Sequence, residues 1–297
     1  MQILRRLTLV AFASLLLLAA CSGWLNNRHV PPPAPEQLER ARESGIQWLI
    51  RNADSNLRID KAVLWQMIQR AAEISGDPRL QTLFARYRQS VLDDRRDSYW
   101  HPLFFPGTWV PVRSEDIGQL PDYNQHFIYA VTCDTELGKL PVIAVQNSAD
   151  FCDRHPLRPA CVTHQLMGLE LMKRSGCADS DALAPTVEAL QERIRNQLTW
   201  DPRLVDVYMQ RVLMLVDSGS VNRVKPIWLD RILNAQQPDG GWSPFMPLLS
   251  IGGDRYIGIR RLPDIGTPES DFHMTAQGVL LFTLLTCSST PLQSTPP

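Results

Sequence analysis

Apolar positions along this chain recur at intervals of three and four residues, the period of a helix that turns one face to a core. Over 36–52, Leu38, Ala41, Ile46, Trp48, Leu49 and Ile50 form one broad stripe. Over 60–75 the pattern changes, because Ala62 to Leu64, Trp65, Met67, Ile68, Ala71, Ala72 and Ile74 leave little polar circumference. Asp77-Pro78 then starts a one-faced helix that runs to Leu92. The alternation returns later: apolar at 162–175, amphipathic at 181–198, apolar at 203–217, amphipathic at 224–236, and apolar from Phe272 to Leu285. Helices apolar on most sides belong inside, and one-faced helices wrap them. No run alternates polar and apolar residues as a half-buried strand would. The pattern predicts an all-α fold.

Several apolar segments end at a glycine suited to a left-handed cap: Gly76, Gly138, Gly176 and Gly219. Ile74-Ser75-Gly76, Arg174-Ser175-Gly176 and Asp217-Ser218-Gly219 read as one recurring stop. The last three of these glycines are spaced by about 40 residues, the size of one helical hairpin, so a solenoid or a closed α/α toroid is expected. Ile232-Leu233-Asn234-Ala235-Gln236-Gln237-Pro238-Asp239-Gly240-Gly241-Trp242 is similar to the Gln-rich, Gly-x-Trp turn of squalene–hopene cyclases and related terpenoid cyclase/protein prenyltransferase toroids. The resemblance implies that the Gln ends an outer helix, that Trp242 packs beneath the next one, and that Asp271 to Gly278 opens the following inner helix. It also implies an α/α toroid or partial toroid of helical hairpins over 36–290. Five inner helices are visible where a complete ring has six. Residues 291–297 read as a disordered tail.

At the other end, Arg5 and Arg6 precede an uncharged apolar stretch from Leu7 to Leu18, and Leu18-Ala19-Ala20-Cys21 resembles the lipobox of bacterial lipoproteins. The resemblance implies a signal peptide over 1–20 and lipidation of Cys21, which would anchor the chain to a membrane outside the cytoplasm. Ser22 stands where an Asp would signal retention at the inner membrane, so the outer membrane facing the periplasm is implied. Residues 21–35, with Asn26, Asn27 and four prolines, read as a semi-extended tether. No later stretch is long enough to cross a bilayer. Composition is ordinary for a globular domain, 44% hydrophobic and 21% charged. A net charge of -1 without a basic run argues against nucleic acid as a partner.

With Cys21 taken by lipid, Cys133, Cys152, Cys161, Cys177 and Cys287 remain. An oxidising compartment permits disulfides. Cys152 and Cys161 flank a short loop with two prolines and are expected to pair. Cys177 with Cys287 is the weaker second pairing, leaving Cys133 as a buried free thiol. Residues 96–122, rich in Trp, Phe and Pro, and 139–160 break the helical pattern. They are expected to be ordered over one mouth of the barrel.

Aligning the apolar helices on their terminal glycines places His126 and His164 each 12 residues before a cap. His273 stands near the start of the last helix, with Asp271 two residues earlier, and in the 203–217 helix the matching position is Val207, with Asp206 before it. His126, His164 and His273 would then converge on one mouth. Helix N-termini disfavour a charged imidazole, which suits a neutral ligand or base. Three histidines with Asp206 or Asp271 could bind zinc and activate water. A His–Asp pair could instead serve as general base and orienter. Equally, a histidine at a helix start often only packs or caps, and then no cofactor is needed. Glu115, Asp116 and Asp122 are further candidate acid/base groups or plain loop charges. The consecutive-Asp motif that protonates substrate in squalene–hopene cyclases is absent; Asp93-Asp94 is its nearest match. There is also no Gly-rich phosphate loop, Gly-x-Ser-x-Gly elbow or Cys-x-x-Cys. Two function classes follow: a non-catalytic module holding a ligand or partner in its cavity, and a periplasmic hydrolase or lyase acting on an envelope glycan or polymer.

Overall fold

The computed structural model describes residues 2–287 and is mostly helical. The predicted disordered tail lies outside the described residues. The main helices are α1 (Gln2–Asn27), α2 (Pro35–Arg51), α3 (Ala62–Ser75), α4 (Pro78–Tyr87), the short α5 (His101–Phe104), α6 (Asp122–Thr132), α7 (Cys161–Ser175), α8 (Ser180–Trp200), α9 (Asp206–Asp217), α10 (Pro226–Asn234) and α11 (Phe272–Cys287). Among the described residues no helix is long and apolar enough to cross a membrane.

Local chemistry sets the helix ends. Proline occupies the first position of α2, α4 and α10, where its missing N–H costs nothing. Asp77 caps α4 by accepting from the Arg79 backbone N–H. Gly76, Gly176 and Gly219 take left-handed backbone at φ 66°, 72° and 82°, as the repeated stop predicts. Gly138 does not. The helix it was expected to close ends earlier, at Cys133, a non-glycine held left-handed at φ 53°. Gly138 is small for another reason: a methyl group there would stand 2.8 Å from the Tyr129 ring.

The more apolar helices pack in succession. α11 lies against α2, α3 and α9, α9 meets α7, α7 lies against α6 and α8, and the short α5 touches both α3 and α6. Trp242 wedges this assembly. It is fully buried, donates from Nε1 to the Ile232 carbonyl at 2.9 Å, and stacks on Phe282 with ring centroids 5.6 Å apart. Gly45 of α2 and Gly278 of α11 admit its ring; a methyl on either would sit within 2.9 Å of it. Gln236 ties the same turn to α2 by donating to the Ala41 carbonyl at 2.9 Å. Beside the wedge, Trp65 stacks on Tyr87 at 4.3 Å and leans on Phe272.

Two features correct the sequence reading of the fold. A three-stranded antiparallel sheet, β1 (Met246–Gly252), β2 (Arg255–Ile259) and β3 (Pro263–Gly266), interrupts the helices. Alternation did not reveal it, because β1 carries bulges at Pro247/Leu249 and Ser250/Gly252 and leaves Leu248 and Leu249 both exposed. Residues 22–35 are also not a free tether. Helix α1 continues to Asn27, and Asn26 is fully buried in the body of the domain.

At the end of α3, α7 and α9 away from their N-termini, Asp217 of α9 accepts from Arg70 of α3 at 3.0 Å and Arg174 of α7 at 2.6 Å. Burial pushes the Asp217 carboxyl up, but Arg174 and Arg70 together outweigh it and hold the group below the usual carboxylate range.

Candidate functional site

Two clefts open at the N-terminal ends of these helices. The larger, about 840 Å³, is lined by Pro121, Asp122, the 156–161 loop, Arg203, Val205 to Val207, and Arg260 to Leu262. The smaller, about 480 Å³, is lined by Lys61, Tyr99, Trp100, Asn124, Gln210, His273 and Gln277 among others. Tyr123 and His164 line both. Their rings stack with centroids 4.1 Å apart and an interplanar angle of 22°, and Phe127 meets the imidazole edge-on. The stacked pair is the wall shared by the two clefts.

Helix starts place the polar groups. His164 lies in the first turn of α7, Asp206 opens α9, and His273 is the second residue of α11. Asp271 caps α11 by accepting from the Met274 N–H at 2.8 Å. The charges of His273 and Asp206 act on His164, and those of Asp206 and Asp271 act on His273. Burial, reinforced by positive charge on His273 and opposed by Asp206, lowers the His164 pKa to about 4. Burial also lowers that of His273, against the pull of Asp206 and Asp271. Burial raises the Asp271 carboxyl above its usual range. At neutral pH both imidazoles are therefore neutral, each with one donor and one acceptor nitrogen. Among the described residues, no side-chain hydrogen bond joins either imidazole to a carboxylate.

His126 does not join them. It is fully buried in α6, with Nε2 3.0 Å from Asn147 Oδ1, and burial lowers its pKa to about 4 despite that bond. The expected convergence fails because α6 stops at Cys133. Counted from that true end His126 is 7 residues in, whereas His164 is 12 before Gly176. The first turn of α6 instead brings Asp122 and Tyr123 to the mouth. Among the described residues no three His, Cys, Asp or Glu side chains are grouped to hold a metal ion, which leaves the zinc expectation without its third histidine.

The remaining candidates sort by position. Asp122 pairs with Arg158 at 3.0 Å on the rim of the larger cleft, while Asp116 pairs with Arg113 at the surface and Glu115 is exposed. Trp100 lines the smaller cleft, Phe105 packs against His101, and Trp109 is 78% exposed. Cys152 and Cys161 form the expected disulfide, closing the loop that edges the larger cleft. The second bridge is Cys133–Cys177, with Cα atoms 4.9 Å apart, joining the ends of α6 and α7. It replaces the expected Cys177–Cys287 pair: Cys133 is not a free thiol, and Cys287 is exposed and unbridged.

Sequence reasoning missed Tyr123, Gln210 and Gln277. Gln210 and Gln277 stand buried on otherwise apolar helices, a polar interruption that was a usable signal. Gln210 accepts from the Thr163 hydroxyl at 2.7 Å, and Gln277 Oε1 has no partner. No protein-family model matches this chain, and neither a curated protein nor a solved structure is significantly similar to it.

Proposed function

We propose that this is a lipid-anchored envelope protein whose helical domain, a partial α/α toroid, binds a ligand at the cleft mouth without transforming it. The succession of α3, α11, α9, α7 and α6, with α5 touching α3 and α6, supports the toroid reading. The lipobox resemblance at Cys21 supports the anchor and, with Ser22, the outer membrane. The observation that carries the binding reading is the Tyr123–His164 stack between two clefts. A flat ring can lie along it while neutral imidazoles and the side-chain amides of Asn124 and Gln277 meet hydroxyl or amide groups. Those are the groups of a glycan strand or a peptidoglycan fragment.

Isothermal titration of the mature chain in detergent with soluble peptidoglycan oligosaccharides tests this. Binding that weakens at least about tenfold in Tyr123→Ala, as loss of a stacking hot spot would cause, supports it. Wild-type and variant chains binding alike would overturn it. One observation favours the second reading, a hydrolase or lyase: the charges of both Asp206 and Asp271 act on His273. Turnover of the same oligosaccharides, abolished in His273→Ala, would establish that reading instead.

A further inference from the structure

Five residues after Cys21, the chain is locked into the domain. Asn26 Nδ2 donates to the Leu198 carbonyl at 2.7 Å, and Trp228 Nε1 donates to the Asn26 carbonyl at 2.9 Å. Arg231 and the Tyr208 hydroxyl donate to Asn26 Oδ1. Asn27 repeats the pattern, donating to the Thr199 carbonyl at 3.1 Å and accepting from Lys225. These partners come from α8, α9, α10 and Lys225 just before α10, and Asn26 has no accessible surface. A buried amide with every group satisfied is expensive to withdraw, since its partners would be stranded with it.

Distance then decides where the domain sits. As helix, Cys21 to Asn26 spans about 7–8 Å. Even fully extended, five residues reach only about 17 Å. The surface around this lock is aromatic and unpartnered. Trp24 and Trp200 are each 62% exposed and Leu25 is 41% exposed. Gly23 lets the chain pass directly over Trp200, whose ring a methyl there would meet at 3.1 Å. The Arg28 guanidinium lies 5.7 Å from the Trp24 ring. Tryptophan flanked by a cation is the chemistry of the headgroup region.

We infer that Asn26 bolts the domain directly onto the bilayer, with Trp24, Leu25 and Trp200 seated in the headgroup layer. The surface this describes is a membrane-contact face, not the end of a long tether. The inference rests on the lipid-anchor reading of Cys21. It goes beyond that reading by fixing one face of the domain against the lipid.

The test uses the acylated mature chain reconstituted in vesicles of phosphatidylethanolamine and phosphatidylglycerol, with and without dibrominated acyl chains that quench nearby tryptophan. Mass spectrometry of the N-terminal peptide first establishes acylation; an unacylated Cys21 removes the anchor reading and this inference with it. With acylation shown, the expected result is quenching that falls by at least about half in a Trp24→Phe/Trp200→Phe variant and is unchanged in Trp109→Phe. Trp24 and Trp200 are both surface residues, so the double variant keeps its fold. A flexible insert of about twenty Gly and Ser residues between Ser22 and Gly23, a coil of about 25 Å, should abolish the Trp200 share of the quenching. An acylated chain with no quenching, or quenching lost in Trp109→Phe instead, overturns the contact face while leaving the anchor standing.

Discussion

Gly168 of α7 lies directly against the imidazole of His126: a methyl group on Gly168 would stand 2.2 Å from Nδ1. The two helices approach as closely as they do because one side chain is missing. Nε2 faces Asn147 Oδ1 and so takes the proton, which leaves Nδ1 as a buried acceptor without a partner. Gly168→Ala is expected to cost about 1–3 kcal/mol by overpacking, read as a drop in Tm with binding retained.

Burial depresses His126 and His164 to about 4, against 6.5 for an exposed histidine. Between these limits the unfolded chain binds protons that the folded chain refuses, so stability rises with pH. It is complete above about pH 6.5 and is lost as pH falls toward 4, by up to about 1.4 kcal/mol per pH unit for each histidine. Chemical denaturation from pH 7 to 4.5 stays clear of Asp201, which is held at about 2 by Arg203 and Arg211 against the cost of burial. Over that range His164→Gln should flatten the slope without abolishing it, because burial depresses His126 and His273 as well; an unaltered slope would show that His164 is protonated as easily folded as unfolded.

The Cys133–Cys177 bridge closes a loop with a sequence separation of 44. Its removal in a Cys133→Ser/Cys177→Ser variant should cost about 2–4 kcal/mol, seen as a lower denaturation midpoint. The Cys152–Cys161 bridge closes a separation of only 9, so Cys152→Ser/Cys161→Ser should cost less, yet disturb the loop at the larger cleft. Thiol titration of the denatured, unreduced chain should find no reactive sulfur at these four positions.

Asp217 is the shared partner of two arginines, and its side chain is 6% exposed. Asp217→Ala strands both cations at the helix ends and should cost about 3–5 kcal/mol, whereas Asp217→Glu should cost less. Thermal unfolding of the two variants side by side distinguishes lost charge from lost shape.

The helical framework was legible because its causes are local. Proline starts, glycine stops and a three-to-four-residue apolar period located α2, α3, α4 and α7 to within a few residues. The Gly-Gly-Trp turn announced its own packing, since Gly45 and Gly278 leave room for Trp242. Where the reading failed, a tertiary cause had replaced the local one. Gly138 is a glycine for Tyr129, not for a turn, and that single substitution of reasons moved His126 into the site and left Tyr123 out. The bulged sheet hid because its apolar residues are exposed on both faces of β1. Asn26 looked like spacer composition because its partners lie 172 to 205 positions away.

The Arg70–Asp217–Arg174 cluster ties α3, α7 and α9 together by charge at one end. At the other end the same helices present His164, Asp206 and the cleft walls, and there α7 meets α9 through the neutral Thr163–Gln210 hydrogen bond. Three helices thus share one carboxylate as a common anchor away from the clefts, so a single side chain helps set the spacing of the helices that carry the cleft walls.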